Sequence, residues 1–158
     1  MNKKKFIWGT VLLFLMYMVI FVLGFLNPFS QTSRNKRSFE KSISSLSEDV
    51  NEIELNDLTS FEWDVLYNFS GYSSTEYIDD ILGFKSHVKP TYQEGRRHMI
   101  FVKNDKIVCR LINGDNEKYY FELPFFGEPY TSINSNSSIV LKTRREWRLI
   151  LTAESDWE

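Results

Sequence analysis

Phe61-Glu62-Trp63-Asp64-Val65-Leu66-Tyr67-Asn68-Phe69 places an apolar side chain at every second position. A period of two is that of an extended strand, whose side chains alternate between faces. Aromatic and β-branched residues favour that conformation. The stretch therefore predicts a strand over 61–69, with Phe61, Trp63, Val65, Tyr67 and Phe69 on one face and Glu62, Asp64, Leu66 and Asn68 on the other.

Downstream, Ser70-Gly71 breaks the strand, and Ser73-Ser74-Thr75-Glu76 has the form of a capping box with Ser73 as N-cap. Tyr77, Ile78, Ile81 and Leu82 follow at helical spacing and Gly83 stands at the C-cap position, so a short helix is expected over 74–82. His98–Val102 and Ile107–Ile112 flank the turn-forming Lys103-Asn104-Asp105-Lys106, a hairpin pattern. Further strands are expected at Lys118–Leu123, Ser138–Thr143 and Trp147–Leu151, with a polar loop over 131–138. Together these define an α+β domain over 59–152: a mostly antiparallel sheet of five or six strands with one short helix. Residues 153–158 read as a frayed tail.

Upstream, Phe6 to Leu26 runs for 21 residues without a charge. At ~1.5 Å per residue such a helix covers roughly 30 Å, the hydrocarbon thickness of a bilayer. The run is longer than a signal-peptide core and no small-residue cleavage site follows, which favours an uncleaved transmembrane anchor over 6–26. Lys3, Lys4 and Lys5 precede it and Arg34, Lys36, Arg37 and Lys41 follow, so both flanks are basic. The short tail 1–5 favours a cytoplasmic N-terminus and an extracytoplasmic domain at the plasma membrane. Residues 27–58 read as a juxtamembrane linker with an amphipathic stalk helix, whose seam is Phe39, Ile43, Leu46, Val50 and Ile53. Two heptads are too few for a coiled coil. The seam is expected to pack on the chain's own domain, with a weak homodimer as the alternative.

Charge is unevenly placed. Between Lys41 and Lys85 there are ten acidic residues and no basic one, although the net charge is only −2. Lys142, Arg144, Arg145 and Arg148 form a basic cluster near the end. An acidic face could steer a basic protein partner, and Glu62, Asp64, Glu76, Asp79 and Asp80 are its candidate residues. Arg96, Arg97 and His98 are a candidate anion site. Zinc-ligand spacing, a Gly-rich phosphate loop and a nucleophile elbow are all missing from the sequence, so no catalytic residue, metal or cofactor is assigned. The lone Cys109 lies in an apolar strand and is expected to be inert. Nucleic acid is not an expected partner of an exported domain.

Trp63-Asp64-x-x-Tyr67-x-Phe69-x-x-Tyr72, followed by Ile81-Leu82-Gly83-Phe84 and the Phe101-Val102-Lys103-Asn104-Asp105-Lys106 hairpin, resembles a group of small Gram-positive proteins anchored as lipoproteins or by a helix. The likeness covers roughly residues 61–112, and this chain departs from the lipoprotein members in lacking a lipobox cysteine. In overall plan the chain is also similar to TipC-type immunity proteins, which are membrane-tethered and neutralise a secreted antibacterial toxin. The anchor, the small aromatic-rich α+β domain, the missing catalytic signatures and the acidic segment 48–80 lead to the expectation of a membrane-tethered, non-enzymatic binding domain, an immunity protein blocking an incoming toxin. A structural or sensor subunit of an envelope membrane complex is the alternative.

Overall fold

The computed structural model describes residues 13–21, 28–114, 118–123 and 129–153. The chain divides into two compact units, Met1–Gln31 and Thr32–Glu158. In the first, residues 13–21 are helical, and every one of these apolar side chains is between 45% and 67% exposed. The remainder of the expected anchor, 6–12 and 22–26, lies outside the described residues, as do the tail 1–5 and residues 154–158. Among the described residues no helix is long and apolar enough to cross a membrane.

The second unit is α+β. Helix α1 (Pro28–Ser44) is followed by β1 (Glu52–Glu54), the one-turn helix α2 (Leu55–Leu58), β2 (Val65–Ser70) and α3 (Thr75–Leu82). Then come β3 (Arg97–Lys103), β4 (Lys106–Asn113), β5 (Tyr119–Glu122), β6 (Tyr130–Asn134), β7 (Val140–Arg145) and β8 (Leu149–Ala153). The strands form two sheets, β1-β7-β8-β5 and β4-β3-β2-β6, where a single sheet of five or six was expected. Every pairing is antiparallel except β5 with β8.

The second sheet is covered on both sides. Leu66, Met99, Phe101, Cys109, Leu111 and Ile133 point inward to a core shared with Tyr119, Phe121, Leu141, Leu149 and Leu151 of the first sheet. Phe69, Ile100 and Val102 point the other way, onto Ile78, Leu82 and Val88 of α3 and the loop after it. That double cover corrects the expected polar face of β2: Leu66 and Asn68 are as buried as Phe69. The strand is also shorter than the alternation suggests, because Phe61 and Trp63 leave the ladder and pack edge-on against Phe101 at 5.5 and 5.4 Å.

Helix α1 closes one side of the sandwich. Phe39 stacks on Phe121 at 5.7 Å and meets Phe101 edge-on at 5.4 Å, so one ring touches both sheets. Thr32 and Asn35 donate to the Ile107 and Val108 carbonyls at 3.2 and 2.8 Å, spending acceptors that the edge strand β4 would leave open. The predicted seam therefore packs on its own domain, with Phe39 and Ile43 fully buried and thus unavailable to a second copy of the chain. The helix itself stops at Ser44, well before Ile53, which lies on β1. Hydroxyls explain the stop: Ser42, Ser44 and Ser45 donate to the carbonyls of Ser38, Glu40 and Ser42, competing with helix continuation.

Other departures are local. The N-cap of α3 is Ser74, whose hydroxyl accepts from the Tyr77 N–H at 3.1 Å, one residue later than the capping-box assignment. Gly83 does take the left-handed conformation at its end (φ 75°). Part of the expected polar loop 131–138 is strand β6, hidden because Ile133 is its only buried side chain. Ala153, expected in the tail, is buried and ends β8 instead. The β3–β4 hairpin forms as read, with Asn104 and Asp105 both at positive φ (47° and 55°), as a two-residue primed turn requires.

Candidate functional site

The five acidic candidates do not form one open face. Glu62 is ion-paired with Lys103, and that hydrogen-bonded lysine holds its carboxyl below the usual range. Asp64 accepts from the Asn104 N–H at 2.9 Å and so fastens the start of β2 to the hairpin turn. Asp79, near the end of α3, accepts from both the hydroxyl and the N–H of Ser86, at 2.5 and 2.7 Å. The Ser86 hydroxyl, followed by the Ser86 N–H, depresses the Asp79 pKa. These three carboxylates have local partners, although Glu62 and Asp64 are exposed, as are Glu76 and Asp80 on α3.

The run Arg96-Arg97-His98 is likewise divided by the strand. Arg97 and Met99 lie on the inner face of β3, whereas His98 stands opposite Phe69 on the face covered by α3. His98 is 2% exposed, neither ring nitrogen makes a hydrogen bond, and burial, with Arg110 nearby, lowers its pKa to about 4. It is a neutral core residue and no part of a surface anion site. Cys109 is fully buried, and burial pushes its thiol up to about 12, far from the thiolate that nucleophilic or metal chemistry needs. Among the described residues no group of three or more His, Cys, Asp or Glu side chains is placed to hold a metal ion.

Among the described residues of the second unit, large apolar or aromatic side chains stand exposed at two places. Tyr72 and Tyr92, at 57% and 71%, flank Gly71. Its carbonyl accepts from the Thr91 N–H at 2.8 Å and its N–H donates to Arg96 at 3.0 Å. A Cβ on Gly71 would stand 2.7 Å from the Arg96 carbonyl oxygen, so only glycine lets the loop close on the strand end. Tyr92 is held there at φ 51°, a conformation bulky residues rarely adopt.

The other place is the β7–β8 turn, where Trp147 is 71% exposed. The Arg148 guanidinium lies between two rings, 4.3 Å from that of Trp147 and 4.4 Å from that of Tyr120. Tyr120 arrives through the parallel pairing of β5 with β8, which sets it opposite Ile150, two residues beyond Arg148. Around this ladder Arg144 pairs with Glu146 at 3.2 Å and Glu122 at 3.8 Å, and Arg145 donates to the Leu46 and Ser47 carbonyls at 2.8 and 3.1 Å. The basic cluster was visible in the sequence, and so was the Trp147-Arg148 step. Tyr120, brought in from 27 residues earlier, was not.

No protein-family model matches the chain, and no curated protein or solved structure matches it.

Proposed function

We propose that this chain is a membrane-tethered, non-enzymatic protein-binding domain displayed outside the cytoplasmic membrane, acting as an immunity protein against a secreted antibacterial toxin. The observation that carries it is the distribution of side-chain types. Cys109 and one of the two histidines, His98, lie in the cores, the other histidine, His87, is exposed, and the large aromatic side chains Tyr72, Tyr92 and Trp147 stand exposed on well-tied turns. Rigid aromatic side chains at the surface supply recognition area at low entropic cost. The tether is supported by the uncharged run 6–26 and by the helical stretch 13–21, which is apolar and exposed along its length.

Two measurements on the full chain test this. Protease added to intact, wall-free cells is expected to digest residues 32–158; protection would place the domain in the cytoplasm and remove the outward-facing reading. A strain lacking the chain is then co-cultured with toxin-secreting competitors. Growth should be restored by the full chain and not by a version without residues 6–26. Equal growth with and without the chain would sink the immunity role.

A further inference from the structure

Arg148 differs from its basic neighbours. Arg144 has two carboxylates and Arg145 two carbonyls, yet Arg148 makes no ion pair among the described residues, and its Nε is buried without a hydrogen-bond partner. Two aromatic rings at 4.3 and 4.4 Å flank this half-buried cation and shield its Nε without supplying a counter-charge. Stacking returns part of what desolvation costs, but a guanidinium keeps several in-plane donors that prefer a carboxylate. The Trp147 ring is open to solvent on the far side of the stack. Tryptophan, tyrosine and arginine are also the residue types most enriched among those that dominate protein interfaces. The ladder lies on the outer face of the β1-β7-β8-β5 sheet, beside Lys142 and Arg144 of β7 and the carboxylates Glu52, Glu122 and Glu146.

We propose that the Tyr120–Arg148–Trp147 ladder is the docking surface for an acidic protein partner: a partner carboxylate pairs with Arg148 while an adjacent apolar side chain lies on Trp147. The occupant is fixed by charge. The other cations of this face stand among carboxylates, Arg144 with Glu122 and Glu146 and Lys142 opposite Glu52. Arg148, which has no carboxylate among the described residues, is therefore the group left to pair with one, and the open indole face favours a protein side chain beside that carboxylate over a bare anion. This rests on reading the chain as a protein binder, and it names a surface on the opposite side of the charge split from the acidic residues first considered.

The test uses the full chain in phosphatidylcholine nanodiscs and two fluorescent peptides, one alternating glutamate and leucine and the other glutamine and leucine. The glutamate peptide is expected to bind about tenfold or more tightly than its glutamine counterpart, and Arg148→Gln and Trp147→Ala should each abolish that preference. Arg148→Lys keeps the charge but not the planar stack, so it should retain only part of the preference, while Arg144→Gln should change it less than twofold. Near-UV circular dichroism checks that each variant is folded; if Arg148→Gln is not, Arg148→Lys carries the test. Equal binding of the two peptides, or a preference that survives at position 148, overturns the proposal. So does Arg148-dependent binding of phosphatidylglycerol vesicles in place of the peptide, which would assign the surface to lipid. Restored growth in co-culture without peptide discrimination removes this surface and leaves the binder intact.

Discussion

The two faces of the β4-β3-β2-β6 sheet are covered in different ways. On the inner face, α1, the second sheet and the connecting segments bring together rings from far apart in the chain: Phe39, Phe61, Trp63, Phe101, Tyr119 and Phe121. On the outer face, a single short helix and the loop behind it cover Phe69, Ile100 and Val102. Each face also buries a polar group without a hydrogen-bond partner, Asn68 inward and His98 outward. Burying such groups costs free energy in either place, but only His98 can answer by changing its charge. The inner core therefore sets how stable the fold is, and the outer core sets how that stability varies with pH.

The largest effect should come from Phe101→Ala. Its ring is fully buried and meets those of Phe39, Phe61 and Trp63 at 5.4–5.5 Å, so truncation opens a cavity that no single neighbour fills. A loss of about 3–5 kcal/mol is expected in denaturant unfolding. A loss below about 1 kcal/mol would mean that the inner core can repack and does not dominate. Next in size is the pH dependence. His98 has its folded pKa lowered from 6.5 to about 4, so it favours the folded state most at pH above 6.5. That contribution is lost as pH falls from 6.5 towards about 4. At 1.36 kcal/mol per unit the swing is at most about 3 kcal/mol. The stability difference between the chain and its His98→Gln variant should shrink across this window, and a constant difference would place the acid sensitivity elsewhere.

Asn113 tests how the inner core is closed. Its amide donates to the Phe121 carbonyl at 2.6 Å and accepts from the Phe121 N–H at 2.9 Å, tying the end of β4 in one sheet to β5 in the other. Asn113→Ala leaves both buried backbone groups unpaired and should cost about 2 kcal/mol, with faster amide exchange at Phe121 as the local signature. This stitch was illegible in the sequence, where Asn113-Gly114 reads as a turn. The β3–β4 hairpin and α3 were legible because a turn and a capped helix are set by adjacent residues. Sheet membership was not, since β5, β6 and β7 alternate between sheets and nothing local records the crossing. The local ties of two acidic candidates were illegible for a related reason: Asp64 and Asp79 carry charge in the sequence, but their partners, the Asn104 N–H and Ser86, appear only on folding. The Arg148 ladder needs a parallel strand pair that no alternation predicts.

The smallest effect separates the two cores most cleanly. The Ser74 hydroxyl satisfies one of the open N–H groups at the start of α3, and Ser74→Ala should cost about 1 kcal/mol. If the outer core were a continuation of the inner one, that loss would appear as a uniform drop in global stability. The packing argues for something more local. α3 meets the sheet through Ile78 and Leu82, and its C-terminal end is held by Asp79 and Gly83, so weakening the N-terminal turn should unfasten the helix from one end. Hydrogen exchange should then rise across 75–82 while the amides of Met99 and Phe101, centred in the doubly covered sheet, keep their protection. Equal acceleration in both places would show that the faces unfold as one unit, and that the pH response of His98 is felt by the whole sandwich and not by its outer layer alone.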